Sequence, residues 1–209
     1  MPRPTDEYAT VARLYDPLTG PFLRGIRRAV VSLGLSLKAH DVIDICCGTG
    51  AQLIALNNAG FSCTGVDLSL PMLTVARQKS PASIAYIHAD ATHLPLTDNN
   101  YDFAILAFAL HEKPGIVREA LLTETLRVLK PGGTLAIADY LAPRNLAGRV
   151  GHLGVTVFER AAGGEHFLLY QEYLQMGGTL GLLDRLELSG TVTRSFHLGA
   201  VGLITLQKQ

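Results

Sequence analysis

Between residues 41 and 140 the chain repeats one pattern: an apolar run, a loop, then a helical periodicity. The apolar runs are 41–47, 62–67, 84–89, 101–109 and 134–140, and helical patterns fill 51–58, 70–79 and 116–129. The fourth run is apolar almost throughout, as a strand covered on both faces requires. Strands alternating with helices predict a doubly wound, mostly parallel sheet, because right-handed crossovers place the helices on its two faces. Two further runs, 192–197 and 200–206, flank a tight Leu198-Gly199 turn. They predict an antiparallel hairpin completing a seven-stranded sheet.

The 209 residues are expected to form one domain, 1–209. Within it, 1–38 reads as a helical lid, 39–142 as the ligand-binding core, 143–190 as a helical cap over a substrate, and 191–209 as the terminal strands. Two helical patterns are expected in the lid. The first begins near Thr5-Asp6-Glu7, with Tyr8 and Tyr15 on one face, and is interrupted at Asp16-Pro17. The second runs from Pro21 to about Leu33 and is ended by Gly34. In the cap, helices are expected over 146–162, 165–176 and 180–186.

Composition excludes several classes of function. Lys plus Arg and Asp plus Glu both number 18, so there is no cationic surplus for a nucleic-acid backbone. The longest apolar runs are too short to span a bilayer, so no stable membrane insertion is expected. The first residues lack the apolar core of a secretory signal, and a cytoplasmic location follows by elimination. Cys46, Cys47 and Cys63 have neither disulfide nor zinc spacing, and the seven histidines never pair at ligand spacing, so no metal is expected. Oligomeric state is not legible.

The ligand is defined at the first strand end, Val42-Ile43-Asp44-Ile45-Cys46-Cys47-Gly48-Thr49-Gly50. Glycines there let a ligand approach the backbone. A third glycine at the dinucleotide offset and the Lys-Ser pair of a phosphate loop are both missing. Asp67 ends the second strand about twenty residues later, where an acid accepts ribose hydroxyls. Asp90-Ala91 ends the third strand, within reach of an adenine amine. Ribose and base without phosphates is the implied ligand.

These motifs, with Val66-Asp67-Leu68-Ser69, Met72-Leu73, Leu94-Pro95 and the run from Glu124 to Gly133 (Glu-Thr-Leu-Arg-Val-Leu-Lys-Pro-Gly-Gly), resemble a class I S-adenosylmethionine-dependent methyltransferase. The nearest branch is the ubiquinone/menaquinone-biosynthesis methyltransferases. The resemblance is strong over about 40–140, weak in the lid and nearly absent over 143–190. It implies S-adenosyl-L-methionine as cofactor and a small, hydrophobic or aromatic acceptor. Asp44, Gly48 and Gly50 would form the cofactor loop and Asp67 would hold the ribose. Leu68 and Met72 would sandwich the adenine, Asp90 and Ala91 would hold its edge, and Ala107 and Phe108 would border the methionine portion. Cys46 stands where the family's first loop glycine is, which places it in contact with the cofactor. Tyr15 would reach the cofactor carboxylate.

For the chemistry, the candidates are His111, Tyr140 and His166. His111, followed by Glu112, ends the fourth strand and is the best-placed base. Asp139-Tyr140 ends the fifth strand, and His166 lies one turn from Tyr170. The apolar cap residues Val155, Val157, Phe158, Phe167, Leu168 and Leu169 suggest a hydrophobic acceptor pocket. Two other readings compete: a non-catalytic nucleoside-binding regulator, and a nicotinamide-dependent oxidoreductase.

Overall fold

A computed structural model describes residues 11–209. The expected lid features at Thr5-Asp6-Glu7 and Tyr8 lie outside the described residues. Seven strands form one sheet: β1 (Asp41–Ile45), β2 (Ser62–Asp67), β3 (Ala85–His88), β4 (Tyr101–Ala107), β5 (Leu129–Tyr140), β6 (Thr191–Phe196) and β7 (Val201–Gln207). Their order across the sheet is β3-β2-β1-β4-β5-β7-β6. β1 to β5 pair in parallel, and β7 lies antiparallel to both β5 and β6. The predicted fold class is therefore the observed one. Lys130-Pro131-Gly132-Gly133, expected as a turn before the fifth strand, is a bulge within β5, where the register against β4 shifts.

The helices are α1 (Tyr15–Leu37), α2 (Ala51–Asn58), α3 (Leu70–Lys79), α4 (Gly115–Val128), α5 (Leu146–Ala162), α6 (Gly164–Gln175) and α7 (Gly178–Arg185). Strand order reverses between β1 and β4, and in such sheets ligands bind at the carboxyl ends of the strands flanking that point. Val42, Ile43, Ile45, Phe103, Ala104, Ile105 and Leu106 are buried there and form the floor on which the site rests.

The N-terminal region departs from expectation. One continuous helix, α1, replaces the second predicted helix and begins at the predicted Asp16-Pro17 break, taking both residues into its first turn. Pro17 is third in the helix, where a backbone N–H has no intrahelical partner to lose. Pro21 does lie inside, leaving the Pro17 carbonyl without its usual partner four residues on. Gly34 does not end the helix. A Cβ there would sit 3.0 Å from Phe61 Cζ, so the glycine permits close packing instead. The helix ends at Lys38, which is left-handed, with Ala39 N–H donating to the Gly34 carbonyl. α1 packs on α2, β6 and β7, and its N-terminal part reaches the strand tops, where Asp16 bonds Thr49 and Phe22 meets the Phe108 ring edge-on.

The segment between β5 and β6 is tied down by buried polar contacts. Arg118 on α4 is fully buried. Its Nε donates to the Leu110 carbonyl at 2.9 Å and its Nη2 to the Leu169 carbonyl at 3.2 Å, and its guanidinium lies over the Tyr173 ring. Tyr173 donates to Thr179, whose hydroxyl donates to the Tyr140 carbonyl. These bonds fix α6 and α7 against the ends of β4 and β5.

Candidate active site

The loop after β1 is shaped by left-handed backbone. Cys46, Gly48 and Gly50 have φ of 60°, 53° and 73°. At Gly50 a Cβ would also collide with the Tyr86 hydroxyl, whereas above Gly48 the space is open. An unencumbered backbone thus faces the cleft at Gly48, as close ligand approach demands.

Asp67 organises this loop. Its Oδ2 accepts from Gly48 N–H at 2.7 Å and its Oδ1 from Ser69 N–H at 2.8 Å. Each oxygen keeps further acceptor capacity. Ser69 caps α3 by accepting from Met72 N–H, which places Met72 buried beneath the cleft. Leu68, by contrast, is 64% exposed and free to lie against a ligand ring. Asp90 folds back locally: its Oδ1 accepts from the N–H and hydroxyl of Thr92. Ala91 is buried beside it.

Asp44 lies in β1, buried, with an Oδ1 that has no hydrogen-bond partner. Burial pushes its pKa up to about 8, the neighbouring Asp67 charge adding and Arg27 opposing. Tyr15 stands in the same field. Burial, then Glu112, push its hydroxyl up to about 12, with smaller contributions from Asp16 and Asp67. Next to it, Asp16 bonds Thr49 of the loop and Lys79 of α3, joining α1 to the cleft rim. Burial holds the Cys46 and Cys47 thiols neutral.

The three candidate catalytic residues, far apart in sequence, meet in space. His111 and Tyr140 ring centres are 4.7 Å apart, and those of His111 and His166 are 5.4 Å apart. Phe108, left-handed at φ 53° as β4 ends, turns its ring against both Tyr140 and His111. A residue outside the expected set joins them. Glu159 of α5 accepts from the Tyr140 hydroxyl at 2.6 Å and lies 2.8 Å from His166 Nε2 and 3.5 Å from His111 Nε2. Its signal was present in the spacing His152, Val155, Glu159, which forms the buried face of α5.

His111 is embedded among acids. Burial opposes its charged form, but Asp139, bonded to Nδ1 at 2.9 Å, with Glu159 and Glu112 further off, raises its pKa to about 9. Near neutral pH it therefore carries a proton and has no lone pair ready to act as a base. The cap's apolar residues do not all turn inward. Val155 is buried and Phe167 packs on the core, but Val157, Phe158 and Leu168 are exposed, so they do not line an enclosed pocket as the sequence suggested. They fall on the outer side of helices whose buried faces hold His152, Glu159 and Tyr170.

Comparison with known proteins places this geometry. The family model described as a methyltransferase domain matches residues 43–137. That match takes in the sheet from β1 to β5, so the core is similar to a methyltransferase domain. Over 122 residues, 56% of the chain, it is 37% identical to a demethylmenaquinone methyltransferase of Staphylococcus epidermidis, covering 50% of that protein. The chain thus spans about half the length of the curated relatives it matches.

Among solved structures, the fold matches a putative S-adenosyl-L-methionine-dependent methyltransferase from Methanococcus maripaludis. The TM-score is 0.70 at 18% identity, covering 100% of this chain and 97% of the other. It also matches an O-methyltransferase family protein from Burkholderia thailandensis, with a TM-score of 0.71 at 17% identity, covering 95% and 59% respectively.

S-adenosylmethionine is the cofactor implied for a methyltransferase domain of this kind, and the residues present fit it. The bare backbone at Gly48 and the acceptor capacity of Asp67 suit a sugar, while the orphaned Asp44 oxygen suits a cationic ligand. Among the described residues, no helix is long and apolar enough to cross a membrane.

Proposed function

We propose that the chain binds S-adenosylmethionine and transfers its methyl group to a small apolar or aromatic acceptor, of the quinone-ring class named for its curated relatives. The observation that carries this reading is the gathering of Phe108, His111, Tyr140 and His166 at the ends of β4 and β5, beside the glycine loop. Aromatic side chains with polar tips suit a flat acceptor bearing oxygens. The site residues assigned from sequence then divide into two sets. Asp44, Cys46, Gly48, Gly50, Asp67, Leu68, Met72, Asp90, Ala91, Ala107, Phe108 and Tyr15 surround the cofactor, and His111, Tyr140 and His166 surround the acceptor.

The cofactor supplies a methyl group made electrophilic by its sulfonium. The protein's part is alignment and water exclusion, with Phe108 held in a strained backbone conformation between the two ligands. His111, charged beside Asp139 and Glu159, would favour binding of the acceptor with its oxygen ionised; as the ring carbon takes the methyl, that oxygen gives up electron density and becomes a carbonyl, so the charge acts on the bound acceptor and not on the transfer step. In this arrangement it is an electrostatic partner and not the base.

The test is incubation of the full chain with methyl-labelled S-adenosylmethionine and a panel of reduced, demethylated naphthoquinones, benzoquinones and catechols. Transfer of label to a panel member, with equimolar S-adenosylhomocysteine, is expected. Cofactor binding with no transfer across the panel would remove this acceptor class and favour the regulator reading. Thermal stabilisation by NAD, and none by S-adenosylmethionine, would overturn the cofactor assignment.

A further inference from the structure

His111, Glu159 and His166 bring three metal-ligating side chains together at the ends of β4, α5 and α6. One ligand-type atom from each residue lies within 4.8 Å of the other two. Glu159 Oε2 stands 3.5 Å from His111 Nε2 and 2.8 Å from His166 Nε2, yet it is buried and receives no aligned hydrogen bond. In a tetrahedral zinc-type site, donor atoms at about 2.0–2.1 Å from the metal are about 3.3 Å apart. The two distances straddle that value.

The surroundings add a second observation. Each histidine has a carboxylate at its other ring nitrogen: Asp139 Oδ1 at 2.9 Å from His111 Nδ1, and Glu112 Oε2 at 3.7 Å from His166 Nδ1. A carboxylate at hydrogen-bond distance, as Asp139 is from His111, turns a histidine's free nitrogen outward as a ligand and fixes its tautomer, whereas Glu112 stands too far from His166 for a direct bond. Charge is consistent as well. Lys113 pairs with Glu112, which leaves the carboxylates of Asp139 and Glu159 to be balanced. A dication bound by the three ligands would sit against these two buried carboxylates.

We propose that His111, Glu159 and His166 bind a divalent transition-metal cation of the zinc class, which ties the end of β4 to α5 and α6. Two imidazoles and one carboxylate favour zinc, cobalt or nickel over calcium and magnesium, which take all-oxygen sites. Three protein ligands leave a fourth position for water or an acceptor oxygen. The cation thereby provides, at the acceptor, the positive charge that a protonated His111 otherwise supplies. The proposal depends on these side chains and not on the methyl-transfer reading.

The experiment uses the full chain, stripped with a chelator and dialysed, then titrated with Co²⁺. One equivalent should bind with the intense visible absorption of a four- or five-coordinate nitrogen/oxygen site, and Zn²⁺ should displace it. His166→Ala removes a partly exposed side chain and should weaken Co²⁺ affinity at least about 100-fold. His166→Gln is the conservative partner variant, and His93→Ala, at an exposed histidine away from the cluster, should bind as the parent does. Absence of saturable Co²⁺ binding, or binding unchanged by both His166 variants, would overturn the proposal. Calorimetry with S-adenosylmethionine on the stripped protein reads the cofactor site separately, so failure of one assignment is distinguishable from failure of the other.

Discussion

The proposed cofactor half and the proposed acceptor half of the cleft are built by different means. Around Gly48 the chain offers backbone: left-handed turns, a sheet end, and one carboxylate, Asp67, holding two N–H groups in place. Around Tyr140 it offers side chains from β4, β5, α5 and α6, assembled only when distant segments meet. A backbone site leaves a local trace in sequence, since glycines and strand-end acids must fall at fixed offsets. A side-chain site leaves almost none. The two halves should therefore answer differently to mutation.

The largest effect expected is on Asp67. Asp67→Ala removes the proposed acceptor of the ribose hydroxyls and also frees the Gly48 and Ser69 N–H groups that Asp67 holds. Two charge-assisted hydrogen bonds at roughly 1.5–3 kcal/mol each imply a loss of at least about 100-fold in cofactor affinity by calorimetry. Tyr140→Phe removes only the bond to Glu159 and should leave that affinity within about twofold, while reducing turnover. Equal losses of cofactor affinity in both variants would mean that the halves are not separable, and the comparison would fail.

How far each half was legible follows from the same contrast. The alternation of strands and helices, the terminal hairpin and the glycine turn after β1 all came from local patterns, and the structure has them. His111, Tyr140 and His166 could be named singly, but nothing in their spacing said that they touch. Glu159 was missed because its partners lie 19 and 48 residues before it and 7 after, and only its place on the buried face of α5 marked it. The Asp16-Pro17 break failed for another reason. Proline disrupts a helix interior but not a first turn, and the position of that first turn depends on how α1 packs.

Asp44 provides a smaller, graded test within the cofactor half. Its folded pKa of about 8 means that below pH 8 the empty site holds a proton there. If binding a cationic cofactor requires the ionised carboxylate, that proton must leave. Affinity should then rise with pH, by up to about tenfold per unit below 8, and level off above it. Calorimetry at pH 6.5, 7.5 and 8.5, in buffers of differing ionisation enthalpy, would register the released proton. Asp44→Asn should flatten the profile. A flat profile in the parent would show that the orphaned oxygen does not face the cofactor's charge.

The smallest effect concerns Cys46, a non-glycine residue in left-handed backbone within the loop after β1. A non-glycine residue held at φ 60° costs about 1 kcal/mol or somewhat more. Glycine removes that strain but loses about 0.5–1 kcal/mol more chain entropy on folding. Cys46→Gly should therefore shift stability in urea by less than about 1 kcal/mol and change cofactor affinity by only a few-fold. Cys46→Val keeps the strain, adds a β-branch that disfavours left-handed backbone further, and should cost more on both measures. If Cys46→Val binds the cofactor as the parent does, the loop's backbone conformation is not what the cofactor half depends on. The contrast with the side-chain-built acceptor half would then have to rest on Asp67 alone.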